Sequence, residues 1–349
     1  MHEPTAAIPG VDLDRLTAWL RESGTSDAPV EDVRAVGGGT QNIMVAFRSG
    51  ALDVVLRRGP LHPRERTNEA LRREMRLLRA LAPTPVPHPR VVAACEDPDV
   101  LGGSVFYLAE RVEGRNPVLG LPDGVADDAA ARHAMGISMV DALATLALVD
   151  HEAVGLGDFG RPAGFLERQV PRWRGELARY AELTGDADHG LPGVEELAAW
   201  LERHRPATFA PGVMHGDYHL ANVMFRTDAP AVAAIVDWEM ATIGDPLLDL
   251  GWMLVTWPEP GRPALIAGEL ATLGGLPDRR ELAGRYAERT GRDLADLDWY
   301  VALAGFKLAV ILEGTCARAR AGKADASIGA QLHDAAVEIL DRAASVVAG

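Results

Sequence analysis

The sequence predicts an α+β fold in two lobes, a small β-rich lobe at the N-terminus and a large α-helical lobe after it. The chain has 349 residues, which exceeds the size at which a single hydrophobic core usually stops growing. Short apolar runs separated by glycine and proline dominate the first third of the chain, whereas helical spacing prevails in the remainder. We therefore expect an N-terminal lobe over residues 1–110 and a C-terminal lobe over residues 111–349.

The N-terminal lobe is predicted to hold a small sheet and amphipathic helix. Residues 12–23 have leucines at helical spacing and end at Gly24. The run "VEDVRAVGGGTQNIMVAF" predicts a strand, a glycine turn and a second strand, and "ALDVVLRRGP" predicts a third. An amphipathic helix is predicted over residues 65–81, with further strands at "VVAAC" and over residues 103–114.

The C-terminal lobe is predicted to be mostly helical. The helices are expected at residues 126–149, 163–184, 193–205, 262–273, 278–290 and 297–345. The apolar run "VALAGFKLAVIL" in the last of these is too short to span a membrane and carries Lys307, so it predicts a buried helix.

The composition is typical of a globular protein without disulfide bonds. Hydrophobic residues make up 48% and charged residues 24% of the chain, as in ordinary globular domains. Cys95 and Cys316 are the only cysteines, and "MHEPTAAIPGVDLD" lacks the basic and apolar regions of a signal peptide. We therefore expect a cytoplasmic protein with reduced thiols. The net charge of −15 disfavours nucleic acid as a partner.

The charges are unevenly distributed along the chain. Nearly all of the negative charge lies after residue 110, which favours either a cationic ligand or merely a solvated acidic surface. The only lysines, Lys307 and Lys323, lie with Arg318 and Arg320 in and after an apolar helix. Such a basic cluster suits a ligand with a hydrocarbon part and an anionic part, or it compensates a helix C-terminus.

Polar side chains between apolar runs identify the candidate site. Asp217 and Asn222 lie in "VMHGDYHLANVMF", and Asp237 ends the strand-like run "AAIVD". Phosphoryl transfer needs a carboxylate to accept the proton of the attacking hydroxyl, and it needs oxygen ligands for Mg²⁺. These three residues supply one base and two metal ligands.

Two other interpretations of the same residues stay open at this point. His215, Asp217 and His219 form an H-x-D-x-H string that would suit zinc. That interpretation leaves Asn222 and the strand before Asp237 without a role. Alternatively, the polar groups are structural, with His215 and His219 bracing the loop by hydrogen bonds to its backbone.

The run "HGDYHLANVMF…AAIVDWEMATIGDPLLDLGWML" resembles the signature of the aminoglycoside phosphotransferase/choline kinase superfamily, which has the protein-kinase-like fold. It is similar in particular to the branch that includes kinase domains fused to some acyl-CoA dehydrogenases. The resemblance extends through "VGGGTQNIMVAF", "DVVLRRGP", "LRREMRLLRAL" and "FKLAVILEGTCARARAGKA", so it covers nearly the whole chain.

The resemblance implies a role for each residue of the motif. Asp217 corresponds to the catalytic aspartate, and Asn222 and Asp237 correspond to the Mg²⁺ ligands. Asp249 matches the aspartate that braces the catalytic loop from the following helix. ATP and Mg²⁺ are the cofactors that the resemblance implies.

Arg57 takes the position of the lysine that grips phosphate in the family. Arginine is planar and permanently charged, so it can still bind phosphate through two hydrogen bonds. Strand alternation puts Val55 and Arg57 on one face and Arg58 on the other. Glu74, in the helix that follows, is the candidate ion-pair partner of Arg57. The alternatives are a surface arginine and a solvated helix glutamate.

Two backbone segments are predicted to contact the nucleotide. The loop "GGGTQN" lies between two strands, where the family has its phosphate-covering loop, and its candidate residues are Gly38, Gly39, Thr40 and Asn42. The backbone groups of Glu110 and Val112, at the connection between the lobes, would contact the adenine edge.

The sequence thus predicts an ATP- and Mg²⁺-dependent O-phosphotransferase that transfers the γ-phosphate to a hydroxyl of a small acceptor, with neither nucleic acid nor membrane as partner. The substitution at Arg57 keeps a catalytically silent, nucleotide-binding pseudokinase as the alternative, beside the zinc hydrolase. Acceptor candidates are an aminoglycoside, a choline-like amino alcohol and a hydroxyacyl thioester. The basic cluster favours a partly apolar acceptor.

Overall fold

The computed structural model describes residues 8–37, 42–185, 190–262 and 266–347. The chain divides into two compact units. The N-terminal unit comprises Met1–Glu113 and Ala233–Glu239, and the C-terminal unit comprises Gly114–Val232 and Met240–Gly349. The segment that carries Asp237 therefore joins the N-terminal unit, although it lies far along the chain. The predicted α+β class is confirmed.

The N-terminal unit contains a five-stranded antiparallel sheet in the order β1-β2-β3-β5-β4. The strands are β1 Glu31–Ala35, β2 Ile43–Ser49, β3 Leu52–Arg58, β4 Val91–Cys95 and β5 Phe106–Glu110. Helix α1 spans Leu13–Glu22 and helix α2 spans Glu65–Leu81. The elements predicted from the sequence are all present, and the strand expected over residues 103–114 is shorter than predicted.

The core of this unit lies between α1 and one face of the sheet. The carboxylate of Asp12 accepts the first free N–H groups of α1, which begins the helix there. Leu16 and Leu20 of α1 pack in one cluster with Val54 and Leu56 of β3, all of them fully or almost fully buried. Because side chains alternate along a strand, this packing turns Arg57 to the opposite face.

The C-terminal unit is mostly helical. Its helices are α3 Ala129–Ala147, α4 Gln169–Thr184, α5 Val194–Arg203, α6 Leu247–Thr256, α7 Leu270–Leu273, α8 Arg279–Thr290, α9 Leu297–Arg320 and α10 Ala326–Val347. The short strands β6 Gly212–Met214, β7 Val223–Phe225 and β9 Thr242–Gly244 also lie in this unit, whereas β8 Val232–Ile235 runs from its last residue before the break into the N-terminal unit. Strands β6 and β9 pair antiparallel.

Two helix predictions need correction. The helix predicted over residues 297–345 is two helices, because the chain turns at residues 321–325, where Gly322 has a φ of +69°. Of the helix predicted over residues 262–273, only Leu270–Leu273 is helical among the described residues. Gly268 in this stretch has a φ of +52° and favours a turn, which the apolar spacing alone did not reveal.

Helix α9 is the central helix of the C-terminal unit. Within the described ranges it is the one helix that is long and apolar enough to cross a membrane, and 83% of its apolar window is buried inside the protein. It packs against α6 and α10. The predicted buried helix is therefore present, and with 24 residues it is longer than the apolar run had indicated.

Candidate active site

Asp217 lies in a loop of the C-terminal unit, between β6 and a short 3₁₀ turn at Leu220–Asn222. The amide nitrogen of Asn222 donates to both the backbone oxygen and Oδ2 of Asp217, each at 2.9 Å. Nε2 of His219 lies 3.1 Å from the other carboxylate oxygen, Oδ1. The side chain keeps 25% of its surface exposed. Asp217 is thus fixed by its neighbours in the motif while its carboxylate stays accessible.

The surroundings of Asp217 keep it ionised. Burial by itself would raise the pKa of this carboxyl group. The hydrogen bond from His219 and the electrostatic effects of His219, His215 and Lys307 outweigh that effect and hold the pKa of Asp217 well below its usual value. A carboxylate of this kind accepts a hydrogen bond from a hydroxyl but holds a proton weakly.

The loop is braced by Asp249 in the first turn of α6. Its carboxylate oxygens accept the backbone N–H groups of His215 at 2.6 Å and of Gly216 at 2.8 Å. The bracing role predicted for Asp249 is confirmed. Gly216 has a φ of +86°, and a Cβ there would collide with the carbonyl oxygen of Met240. Glycine is therefore required at this turn.

Lys307 is a residue of this site that the sequence interpretation missed. Its ammonium group donates to the backbone oxygen of Gly216 at 2.9 Å and lies 4.4 Å from the ring centre of Trp252. Only 7% of the residue is exposed. Burial lowers the pKa of Lys307, and the nearby charges of Asp217 and Asp249 oppose that shift.

The predicted basic cluster around Lys307 is therefore wrong. Lys307 lies under the loop, whereas Arg318 donates to Thr315 and Arg320 pairs with Glu313 at the far end of α9. A single lysine inside a long apolar run was the signal that could have identified it, because a buried ammonium group needs a specific partner.

The N-terminal unit carries the second group of candidate residues. Nε of Arg57 lies 3.1 Å from Glu74, and its NH2 nitrogen lies 2.9 Å from Asp237. Arg57 is 8% exposed, so the alternative of a surface arginine is wrong. Asp237 has a φ of +66°, a conformation that is rare outside glycine and that aims its carboxylate at Arg57.

Glu74 has the least exposed side chain of these three residues. Its side chain is 3% exposed, so the solvated glutamate is excluded. Burial, together with repulsion from Asp237 and Glu239, raises the pKa of Glu74 to about 7 against the attraction of Arg57. The hydroxyl of Tyr107 forms a further hydrogen bond with Glu74. Tyr107 pairs with Arg57 across the sheet, and the sequence interpretation did not include it.

Arg58 shows why the two neighbouring arginines differ. It lies on the core face of β3 and is 1% exposed. Its guanidinium group donates to the carbonyl oxygens of Gly59 and Pro60, each at 3.1 Å, and to that of Gly10. The predicted strand register is confirmed, and Arg58 is a structural residue.

The remaining predicted nucleotide contacts are only partly described. Gly38, Gly39 and Thr40 lie outside the described residues. Asn42 lines a cavity of about 310 Å³ along α2, together with Glu74 and Glu239. Glu110 is exposed at the end of β5, and its N–H donates to the carbonyl oxygen of Arg90 at 2.9 Å, so this N–H is not available to adenine. Val112 is half-buried in the segment that follows.

The contacts of the two histidines argue against a zinc site. The ring nitrogen Nδ1 of His215 accepts the N–H of Asp217 at 3.3 Å, as expected of a bracing residue. His219 instead contacts the carboxylate of Asp217, which differs from the predicted backbone contact. Within the described part of the chain, the side chains of His215, Asp217 and His219 do not bring three ligand atoms together.

Comparison with known proteins confirms the kinase-like phosphotransferase fold. A sequence profile described as the phosphotransferase enzyme family matches residues 32–285. The chain belongs to this family, as the resemblance in the sequence had indicated. A protein of Ralstonia eutropha JMP134, provisionally named an aminoglycoside phosphotransferase in its crystal structure, is similar with 32% identity and a TM-score of 0.77. The similarity covers 96% of this chain and 98% of that one.

Two mammalian relatives are much longer than this chain. Acyl-CoA dehydrogenase family member 10 of Mus musculus is 30% identical over 335 residues, which cover 94% of this chain and 30% of that protein. Acyl-CoA dehydrogenase family member 11 of Rattus norvegicus is 29% identical over 317 residues, covering 88% of this chain and 39% of that protein. The chain thus spans a third or so of the length of these relatives.

Proposed function

We propose that the protein transfers the γ-phosphate of ATP, with Mg²⁺, to a hydroxyl group of a small acceptor. The observation that carries this proposal is the carboxylate of Asp217, which is ionised, accessible and fixed by Asn222 and His219. In a loose phosphoryl-transfer transition state the acceptor hydroxyl needs orientation more than early deprotonation. A weakly basic carboxylate suits that role, since it orients the hydroxyl and takes its proton late.

Asn222 in the C-terminal unit and Asp237 in the N-terminal unit each offer an oxygen atom of the kind that Mg²⁺ prefers. Asn222 commits its amide nitrogen to Asp217, so its Oδ1 is the oxygen left for a cation. Oδ1 of Asp237 accepts a hydrogen bond from Arg57, which leaves Oδ2 for a cation. The side chain of Asp237 is 40% exposed. Mg²⁺ prefers such hard oxygen ligands. When bound, the ion would neutralise charge on the phosphates.

Arg57 would bind the phosphates of ATP in this proposal. Glu74 holds the Nε side of the guanidinium group at 3.1 Å, which leaves the NH2 side to change partner when nucleotide binds. Asp237 holds the same group at a distance of 2.9 Å. Phosphate and metal would compete for that contact, and Arg57 would then turn its NH2 group from Asp237 to a phosphate oxygen. The cation needed for nucleotide binding is therefore present despite the absence of the usual lysine.

We further propose that the acceptor is a hydroxylated, partly apolar molecule such as a hydroxyacyl thioester. The basic cluster no longer supports this preference, because Lys307 is committed to Gly216. Its support comes from the mammalian relatives, which are named acyl-CoA dehydrogenase family members and match this chain over 30% and 39% of their own length. An aminoglycoside acceptor is the rival, since the Ralstonia eutropha protein bears that provisional name.

An acceptor screen with product identification tests the proposal. The full chain is incubated with Mg²⁺ and ATP and either hydroxyacyl-CoA compounds or kanamycin-type compounds, and ADP release is coupled to detection of a phosphate monoester by ³¹P NMR. The proposal predicts a phosphomonoester with a hydroxyacyl compound. Turnover of the aminoglycosides alone would overturn the acceptor assignment. Mg²⁺·ATP binding without phosphate transfer to any hydroxyl compound would favour the pseudokinase.

A further inference from the structure

Three side chains of different chemistry converge between α9 and α10 in the C-terminal unit. Glu313 and Cys316 lie one turn apart on α9, and His333 lies on α10. One donor atom from each lies within 4.8 Å of the other two. Glu313 and Cys316 are buried, and His333 is partly exposed. Among the described residues, this is the one group of three or more histidine, cysteine or acidic side chains with such spacing.

The contacts within the group centre on the carboxylate of Glu313. Its side chain is 2% exposed, and Nδ1 of His333 lies 2.7 Å from its Oε2. Arg320 lies 3.6 Å from its Oε1, with 39% of the arginine side chain exposed. The thiol of Cys316 also forms a hydrogen bond with Glu313. A carboxylate so deeply buried requires positive charge nearby, and here that charge comes from groups that solvent can reach.

A cavity beside this group provides space for a ligand. It has a volume of about 280 Å³ and is lined by Cys316 and His333 together with the charged residues Arg320 and Asp334. The other lining residues are alanines and Gly329, all with small side chains. Small residues are needed here because α9 and α10 pack closely: a Cβ on Gly329 would collide with that of Ala319. The cavity is large enough for an ion with a water ligand.

We propose that Glu313, Cys316 and His333 bind a zinc ion. A thiolate, an imidazole and a carboxylate are the three ligand types of protein zinc sites, whereas Mg²⁺ prefers oxygen alone. A water molecule from the cavity completes four ligands. On binding, the thiol of Cys316 loses its proton to solvent and His333 binds as the neutral imidazole. The two anionic ligands balance the dication, which releases Arg320 toward solvent.

A reactive cysteine explains these contacts less well. The thiol of Cys316 forms its hydrogen bond with the carboxylate of Glu313, whereas a reactive cysteine is activated by neighbouring positive charge. A zinc ion would replace the thiol proton and bring the sulfur, nitrogen and oxygen atoms together. The zinc site is independent of the proposed phosphoryl transfer, since none of its three ligands contacts Asp217 or Lys307 among the contacts described above.

Zinc titration of the full chain tests the proposal in the absence of nucleotide. The purified protein is stripped with a chelator and titrated with Zn²⁺ against a chromophoric chelator. One zinc ion per chain is expected, with affinity reduced about 10-fold or more in Cys316→Ser and in His333→Gln, since loss of a direct ligand costs at least as much as loss of a group that orients one. Co²⁺ in place of Zn²⁺ should give a thiolate-to-cobalt charge-transfer absorption that Cys316→Ser lacks.

Two variants serve as controls. Cys95→Ser removes the other cysteine, which lies in the N-terminal unit, and should leave the zinc affinity unchanged. Asp237→Ala should also retain zinc, which separates this site from the proposed magnesium ligands. Absence of the charge-transfer absorption in the wild-type protein would overturn the proposal whether or not the variants fold. So would an unchanged zinc affinity in Cys316→Ser.

Discussion

The ammonium group of Lys307 donates to the backbone oxygen of Gly216 at 2.9 Å, across 91 residues of sequence. Asp249 accepts the N–H of the same glycine at 2.8 Å. Gly216 immediately precedes Asp217, so a buried cation and a buried anion fix both backbone groups next to the candidate catalytic carboxylate. The position of that carboxylate thus depends on α6 and α9 as well as on its own loop.

Lys307→Met should lower kcat by roughly 10-fold while changing the affinity for Mg²⁺·ATP by less than about twofold. The substitution keeps the volume of the side chain but removes a charge-assisted hydrogen bond worth about 1.5–3 kcal/mol. We expect part of this loss to raise the activation free energy, because the bond helps to position the loop that carries Asp217. Single-turnover kinetics and nucleotide titration measure the two quantities. Lys323→Met, at the only other lysine and an exposed one, is the matched control. Equal kcat in both variants would refute the positioning role.

Asp249→Ala should lower the free energy of unfolding by about 3 kcal/mol, as measured by urea denaturation. It leaves the N–H groups of His215 and Gly216 without their acceptor and removes one of the two carboxylates that offset the charge of Lys307. Asp228→Ala removes an exposed aspartate of the same unit and should change stability by less than about 0.5 kcal/mol. A loss of similar size in both variants would contradict the bracing role.

Arg57→Ala should weaken binding of Mg²⁺·ATP by about 10-fold or more, because the phosphates lose their charged donor. Isothermal titration calorimetry measures the change. Arg58→Ala should instead lower the melting temperature, since Arg58 donates to three carbonyl oxygens in the interior. Arg48→Ala, at an exposed position on β2, controls for the loss of positive charge. Unchanged nucleotide affinity in Arg57→Ala would contradict the assignment.

Asp237→Ala should abolish the Mg²⁺ dependence of ATP binding, because it removes a direct oxygen ligand of the ion. Glu239→Gln is a matched control: its carboxylate is also 40% exposed and lies 3.8 Å from Arg57, yet it is not a predicted ligand. Calorimetric titration of ATP with and without Mg²⁺ compares the two variants. If Glu239→Gln lost the dependence and Asp237→Ala kept it, the ligand would be Glu239.

Local patterns predicted one part of this site well. Strand alternation separates Arg57 from Arg58, because their orientation depends on periodicity within a single element. The resemblance supplied the pairing of Glu74 with Arg57 and the bracing role of Asp249. Lys307 and Tyr107 were missed because their partners lie on other elements, and no pattern within α9 or β5 names the residue they contact. The boundaries around residues 262–273 were missed because an apolar spacing can also arise in a turn.

Phosphoryl transfer through Asp217 is the central claim, and Asp217→Asn tests it most directly. The variant is compared with the wild type for kcat on the acceptor that the screen identifies, and for Mg²⁺·ATP affinity in the same buffer. We expect kcat to fall by about 100-fold or more, because an amide cannot accept the hydroxyl proton, while nucleotide affinity stays within about twofold. Wild-type turnover by Asp217→Asn would contradict the account.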